Sequence, residues 1–404
     1  MNGIRRLLAN KRIQLIIILF LSLLAMVSIL QGVRNAIGVS QDFQWDAARA
    51  LYEGLDPYEI SLNGDAKIES EKLAEFYKLF TDKGLKQKME ANQFPSLLML
   101  LFPYVFLSPM VARIAWVISN LFFTLGIIWL LRRTFLKDLA HFEFIVVALL
   151  MLAGTPYRNQ IGVGQHTLFS FFFFMLAVYL DEKNSRGNSI GIAISLFISY
   201  FKYTLTAPLA LYFIYKRRIK EFILSVAGHV ILTFVAALFL KKTPIYMIVA
   251  PLKVASALSA EGGLDLGALF GGGIVPLIIG GVIALILFVT TLRLPVANEY
   301  ILVPMLILWS LILTYHRTYD FFVLAVVSMF FVSASGEIVT NKYFEWFKIY
   351  YYILMFSVYF GLRVFDENLI SRIFVGILYY IFTLIITIFA IKSMKAIHII
   401  REGK

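Results

Sequence analysis

Apolar stretches of about twenty residues recur through most of the chain, and this recurrence limits the possible folds more than any single motif does. A helix rises about 1.5 Å per residue, so about twenty apolar residues cross the roughly 30 Å hydrocarbon core of a bilayer. The first stretch runs from Ile13 to Leu30 without a charged residue. Hydrophobic residues fill 60% of the 404 positions, against about 45–50% in soluble domains. That excess identifies an all-α polytopic membrane protein, and the 37 Phe and 21 Tyr suit long interfacial belts. Residues 1–12 are basic and the first run has no small-residue cleavage site, so the first helix reads as retained, with its N-terminus in the cytoplasm.

Charge then orients the rest. After the first crossing, residues 34–107 read as a long first periplasmic or extracellular loop. Its middle, Asp65 to Asn92, is strongly charged, and Leu73, Phe76, Leu79 and Phe80 recur at helical spacing, as in an amphipathic helix outside the bilayer. The piece Phe94 to Leu107 is about fourteen residues with a proline near each end, short of a span. If it does not cross, the helix at about 110–131 delivers Arg132, Arg133 and Lys137 to the cytoplasm. Helices at about 142–156, 164–180, 189–201, 204–215, 222–240, 274–292, 296–314, 320–334, 347–361 and 373–391 then leave Lys183, the Lys216-Arg217-Arg218-Lys220 cluster and the basic tail inside. The expectation is one integral membrane domain over 1–404, about twelve transmembrane helices, both termini cytoplasmic, and a second long outer loop at 241–273.

This arrangement collects the polar corners on the outer face: Asp42 and Asp46, the loop 155–167 with Arg158, Gln165 and His166, the Lys202-Tyr203-Thr204 corner, and Tyr315 to Asp320 with His316, Arg317 and Tyr319. A transporter places ionisable groups nearer the midplane; a site at one surface suits an enzyme with a lipid-borne substrate. The net charge of +12 fits anionic lipid, and the cations are too scattered among apolar spans for nucleic acid. With no cysteine, disulfides and thiolate metal sites are excluded. No P-loop, H-E-x-x-H, G-x-S-x-G or dinucleotide fingerprint is present, and the glycines of 262–273 read either as a mobile lid or as loop packing. Asp42 and Asp46 are four apart, on one face if residues 42–51 form a short helix. Spacing alone favours capping for Asp42, and capping also explains Gln165 and His166 before Thr167. Lys202, Arg158 and Arg317 read singly as interfacial cations; together, facing carboxylates, they suit a phosphate leaving group and a hydroxyl nucleophile.

Several short elements occur in order between residues 40 and 325. They are Asp42-Phe43, an Ala-rich helix at Ala47–Leu51, the turn Gly54-Leu55-Asp56-Pro57-Tyr58, Phe94-Pro95, Gly164-Gln165, Lys202-Tyr203-Thr204 with Pro208, and His316 followed by Tyr319-Asp320. In this the chain resembles the family 87 glycosyltransferases, membrane enzymes of the GT-C superfamily that include polyprenol-phosphate-mannose-dependent mannosyltransferases. The second proline of the family's Tyr-Pro-Pro element is missing here, and His166 stands where a small or polar residue is common. The resemblance implies a GT-C fold and a polyprenyl-phosphate-linked sugar donor, with a lipid-linked or cell-envelope glycan as acceptor. It implies inversion, with Asp42 as general base, and contacts to donor and sugar from among Asp46, Arg158, Gln165, Lys202, His316, Arg317, Tyr319 and Asp320. No metal and no cofactor are expected. The expected place is the inner or plasma membrane, with the site on its outer face. The rival readings are a lipid-linked glycan flippase or other transporter, and an envelope glycan ligase or polymerase.

The topology predicts that tags in 132–140 and 216–220 are labelled in intact cells only after the membrane is permeabilised; labelling of both from outside would reverse the orientation.

Overall fold

A computed structural model describes residues 10–38, 43–63, 75–76, 78, 89–183, 188–258, 264–270, 274–292, 298–333, 342–361 and 369–402. Among them the regular structure is helical throughout, with no strand. In chain order the helices are α1 (Lys11–Gly38), α2 (Trp45–Tyr52), α3 (Pro57–Asn63), α4 (Pro95–Met99), α5 (Phe102–Val105), α6 (Pro109–Leu130), α7 (His141–Ala153), α8 (Thr155–Val163), α9 (Thr167–Glu182) and α10 (Ser189–Ser199). There follow α11 (Tyr203–Leu209), α12 (Leu211–Tyr215), α13 (Ile219–Phe239), α14 (Pro244–Leu258), α15 (Leu266–Phe270), α16 (Ile274–Leu292), α17 (Glu299–Leu313), α18 (Met329–Ser333), α19 (Lys342–Phe356) and α20 (Leu369–Glu402). A 3-10 turn, Tyr200–Lys202, joins α10 to α11, and a 3-10 stretch, Thr318–Ser328, leads into α18.

Among the described residues five helical stretches are long and apolar enough, by length and composition, to cross a membrane: Lys11–Gly38, Pro109–Phe135, Ser189–Leu209, Ile219–Phe239 and Ile373–Lys392, of which Ser189–Leu209 folds back at Lys202. The pair α7 and α8, bent by 49°, makes a sixth if it is one broken span. Further apolar helices of 10–17 residues, at Pro244–Ala255, Ile278–Leu292, Glu299–Leu313 and Thr318–Val332, fall below that length. The protein is an all-helical polytopic membrane protein, and five or six of the twelve expected spans meet the length criterion. Residues 94–107 hold α4 and α5, of five and four residues, each with a proline in its first turn and neither long enough to cross. The amphipathic helix expected within 65–92 lies largely outside the described residues; Phe76, which is described, is buried.

Two expected boundaries move. The span drawn over 142–156 stops at Ala153, and the supposed loop 155–167 is mostly the helix α8. Gly154 is extended there, and a Cβ on it would lie 3.0–3.1 Å from the Tyr359 side chain. Pro156, lacking an N–H, then fits the first turn of a new helix. The expected helix 204–215 is likewise divided into α11 and α12 around Ala210.

The chain between α10 and α12 is a hairpin with Lys202 at its tip. Asn188 Nδ2 donates to the Leu180 carbonyl, and Tyr212 and Arg218 both bond Asp181, so residues 188 and 212–218 lie at the C-terminal end of α9. The Lys202 N–H instead donates to Ser170 Oγ at 2.7 Å, near the N-terminal end of α9. Eleven helical residues separate Ser170 from Asp181, a rise of about 16 Å. Two polar levels follow. Lys216–Glu299 (3.0 Å), Arg218–Asp181 (2.6 Å) and Ser189–Glu221 (2.7 Å) close one end of the bundle, and the Lys202 tip belongs to the other.

Between the levels a large apolar core gathers residues such as Phe171, Phe174, Leu308, Phe322, Tyr351 and Phe382. A second cluster, with Phe43, Trp45, Leu51, Tyr58, Leu98, Trp116 and Met247, roofs the tip level and binds the short helices α2 to α5 to it. Trp45 Nε1 donates to the Tyr104 carbonyl and Arg49 Nη1 to that of Val105. Lys242 clamps this layer from outside, 2.9 Å from Glu59 and 3.4 Å from Asp56, while the Tyr246 hydroxyl donates to Asp56 at 2.8 Å. The hydrogen bond to Glu59, with the Asp56 and Glu59 charges, holds the Lys242 ammonium above its ordinary range. Burial, helped by the Asp56 charge, pushes the Tyr58 phenol well up, and its hydroxyl donates to the Gln93 carbonyl at 2.7 Å.

Helix α1 lies on α8 through glycine: a Cβ on Gly32 would stand 3.1 Å from both the Arg158 carbonyl oxygen and Ile161 Cβ, and one on Gly162 would stand 3.1 Å from Asn35 Cβ. Gly32→Val is therefore expected to cost about 1–3 kcal/mol and lower the melting temperature in detergent, while Gly38→Ala, which meets open space, leaves it unchanged. Equal melting of Gly32→Val and wild type would refute this close packing.

Candidate active site

Three chain breaks at the tip level converge. The first is the corner after α8, where Gly164 takes φ 73°, a conformation cheap only for glycine. Trp116 Nε1 donates to the Gly164 carbonyl (2.8 Å) and Gln160 Nε2 to the Gln165 carbonyl (2.6 Å), fixing the turn that presents Gln165, His166 and Thr167. The second is the hairpin tip, where Lys202 (φ −107°, ψ 66°) leaves helical geometry and Thr206 Oγ1 donates back to the Ser199 carbonyl at 2.7 Å. The third follows α17. Ser310 Oγ donates to the Leu205 carbonyl (2.7 Å) and Thr314 Oγ1 to the Thr204 carbonyl (2.5 Å), so the tip is docked where the chain turns into Tyr315–Asp320.

Asp320 is the centre of this meeting. It is fully buried, and its carboxylate accepts from His316 Nδ1 at 2.7 Å and from Thr167 Oγ1 by a short hydrogen bond. Lys202 Nζ lies 3.7 Å from the same carboxylate, 3.4 Å from Gln165 Oε1, and 5.3 Å from the centre of the Tyr319 ring. His316 is also fully buried, with Nε2 2.9 Å from Thr314 Oγ1. Burying an ion pair costs several kcal/mol per charge before attraction and hydrogen bonds offset it, and here one carboxylate has a cation, an imidazole and a hydroxyl around it. An ammonium has three donors, and the contacts of Lys202 to protein oxygens are long, so it can turn toward an incoming anion.

The arm preceding α2 reaches the same corner. His166 Nε2 donates to the Phe43 carbonyl at 3.0 Å; because a carbonyl only accepts, this nitrogen carries the proton. The Phe43 ring stacks on Trp116 at 4.9 Å, and Trp116 stands 5.4 Å from the His166 ring. Gln44 follows in the left-handed region (φ 59°, ψ 20°), a conformation that costs a non-glycine residue about 1–2 kcal/mol. Its side chain donates to the Glu90 carbonyl at 2.8 Å.

Of the residues singled out in the sequence, Gln165, Lys202, His316, Tyr319 and Asp320 come together. Asp42 lies outside the described residues. Helix α2 starts at Trp45 with the left-handed Gln44 as its cap; the expected pairing of Asp42 with Asp46 falls on a residue outside the described ones. Asp46 is buried, accepts from the Ala47 N–H at 2.9 Å and lies within electrostatic reach of Arg113. Arg158 donates to Gln31 of α1 and to its neighbour Asn159. Arg317 Nε donates to the Tyr315 hydroxyl at 2.5 Å, and His166 faces Phe43 instead of capping α9 with its side chain.

Sequence reasoning missed Thr167, Thr314 and Asp265, whose carboxylate accepts the His316 N–H at 3.3 Å. The first two carried a signal, a hydroxyl beside each charged corner. Asp265, inside a glycine-rich run, carried none. Among the described residues no group of three or more His, Asp or Glu is able to hold a metal ion.

Beside the tip lies a cavity of about 370 Å³ between α4, α11, α13 and α14, walled by Phe94, Leu97, Tyr203, Val226 and Phe234. Its main polar feature, His229, is occupied, bonded to Ser96 Oγ (3.0 Å) and donating from Nε2 to the Phe197 carbonyl (2.8 Å). The buried polar cluster thus adjoins an apolar cavity: Tyr203, next in chain to Lys202, lines the cavity and packs on Phe94 at 4.9 Å.

Fold and site together define a multi-pass membrane protein whose polar chemistry is gathered at one end of a helical bundle. The profile of glycosyltransferase family 87 matches residues 95–336, more than half of the chain, and the protein belongs to that family. It is a membrane glycosyltransferase. The match takes in Gln165, Lys202, His316, Tyr319 and Asp320 and begins after the arm at 43–63. No curated protein and no solved structure matches the chain.

If Lys202 and Asp320 form one buried pair, their energies couple. Lys202→Met and Asp320→Asn are each expected to destabilise strongly, by about 3–5 kcal/mol where a buried charge is left alone, and the double variant by clearly less than the sum of the two. Additive losses of melting temperature across the cycle would dissolve the pair.

Proposed function

We propose that this glycosyltransferase moves a hexose, mannose in the first instance, from a polyprenyl-phosphate carrier to a lipid-linked or cell-envelope acceptor on the outer face of the membrane. The observation that carries the reading is a buried polar cluster beside an apolar cavity. A buried Lys202, His316, Thr167 and Gln165 group adjoins an apolar cavity walled by Phe94, Tyr203 and Phe234. A lipid phosphate needs both, a cationic seat for the head and an apolar channel for the first part of the chain.

Chemistry assigns the remaining roles. The acceptor hydroxyl attacks the anomeric carbon while the bond from that carbon to the phosphate oxygen breaks, which inverts the centre. The hydroxyl proton passes to a carboxylate, and the departing polyprenyl phosphate gains one negative charge. Lys202, held by Gln165 and Asp320, meets that charge, and His316, backed by Asp320, orients beside it. Asp42 is the base in this reading. Its neighbour Phe43 is tied through its carbonyl to His166 and through its ring to Trp116, beside Gln165, which favours Asp42 over Asp46, whose carboxylate accepts the Ala47 N–H and faces the Arg113 charge.

Purified protein incubated with a panel of polyprenyl-phosphate sugars is expected to consume one of them. Asp42→Asn should fold and bind that donor yet lose transfer by about a hundredfold or more, and Asp46→Asn should lose less. Full turnover in Asp42→Asn sinks the assignment of the base; lipid-linked glycan flipping in proteoliposomes that survives Asp42→Asn would support a flippase instead.

A further inference from the structure

Asp265 is a carboxylate that the scheme above does not use. It is 2% exposed, and it opens the short helix α15 in a segment otherwise rich in glycine. Two structures share it. Its Oδ2 accepts the main-chain N–H of His316 at 3.3 Å, and its Oδ1 lies against Gly267, where a Cβ would come within 2.8 Å of it. The segment is fixed on either side of Asp265. Leu264 and Leu266 are buried in the main core, and the Tyr380 hydroxyl of α20 donates to the Leu264 carbonyl at 2.6 Å. Asp265 therefore joins the C-terminal helix to the His316 corner, though it is far from both in sequence.

We propose that Asp265 is a positioning residue of the site: by accepting the His316 amide it holds the start of the His316–Asp320 turn, and with it the imidazole, in register with the Asp320 carboxylate. Its role in turnover rests on the reading that this corner receives the donor phosphate. The physical reason is geometric. His316 follows the extended Thr314 and precedes a 3-10 turn, so its main chain lacks the ladder of a regular helix, and the Asp265 acceptor replaces it. The absence of a side chain at Gly267 keeps the carboxylate in place.

The test separates position from activity. The full-length protein in detergent is treated with diethyl pyrocarbonate, which acylates accessible imidazoles, and the five histidines are read individually by peptide mass spectrometry. In wild type His316 stays unmodified. In Asp265→Ala its modification rises at least several-fold, while His229, packed elsewhere, is unchanged. Asp265→Asn, which keeps an acceptor oxygen, restores protection. Gly267→Val, which keeps Asp265 but displaces its carboxylate, reproduces the exposure. With a donor that wild type consumes, Asp265→Ala lowers kcat/KM by about ten- to a hundredfold, as a small misplacement of a binding group does, and Asp265→Asn recovers most of it. Protection of His316 that is the same in wild type, Asp265→Ala and Gly267→Val overturns the proposal. If His316 becomes exposed as expected but wild type consumes none of the polyprenyl-phosphate sugars, the positioning role stands and the donor reading fails.

Discussion

The ion pair of Lys202 with Asp320 constrains the rest of the molecule because neither charge has an alternative partner in water. Asp320 is fully buried, and the Lys202 side chain is 10% exposed. In an apolar bundle such a pair persists only where geometry supplies further hydrogen bonds, since desolvation otherwise exceeds attraction. Those bonds come from segments that are remote in sequence: Thr167 and Gln165 at the start of α9, His316 after α17, and the Ser170 hydroxyl that fixes the Lys202 main chain. Each requires a chain break at one height. The bend at Gly164, the tip at Lys202 and the extended Thr314 are thus three answers to a single electrostatic demand, and the helix lengths between them follow from it.

Much of this was legible in the sequence, and the reason is that breaks in apolar runs are conspicuous. A polar corner between two hydrophobic stretches marks a height as well as a turn, and Gln165, Lys202, His316, Tyr319 and Asp320 were grouped on that basis. Direction was not legible. Arg158 bonds Gln31 and Asn159, and Arg317 bonds the Tyr315 hydroxyl, partners that no spacing in the sequence marks. The break at Gly154 was hidden because Pro156 opens a helix as readily as it ends one. The collision with Tyr359 that demands glycine there comes from a residue about 200 positions away. The start of α2 at Trp45, after a left-handed Gln44, was not legible either; backbone conformation of a single polar residue leaves no periodic trace.

The scaffold side and the arm side of the site are held by different forces. Lys202 is anchored at the tip of a hairpin whose other end is locked by Arg218–Asp181 and Lys216–Glu299, so the cationic seat is carried by rigid helices. The arm at 43–63 is held by aromatic stacking, a carbonyl bond from His166, and the Lys242 clamp, whose ammonium is one-third exposed and so is worth little as a charge pair. A glycosyl transfer makes opposite demands on its two halves. With the proposed polyprenyl-phosphate donor, the leaving phosphate would meet a fixed charge at the moment the bond breaks, whereas acceptor and proposed base would first come together around a hydroxyl.

That division also explains where strain is stored. The left-handed Gln44 lies in the arm, between Phe43 at the corner and the buried Asp46, and its side chain is spent on the Glu90 carbonyl. Relaxing Gln44 to an ordinary conformation would redirect the chain on its N-terminal side and lose the stacking of Phe43 on Trp116, so the second apolar cluster supplies the energy that keeps the turn. A strained residue at that point costs stability without touching substrate. A relaxed turn there would return about 1–2 kcal/mol but would give up the placement of Phe43 against Trp116. On this argument the arm's packing, the clamp and the left-handed turn serve one purpose: they hold Phe43 against Trp116 and His166, beside Gln165.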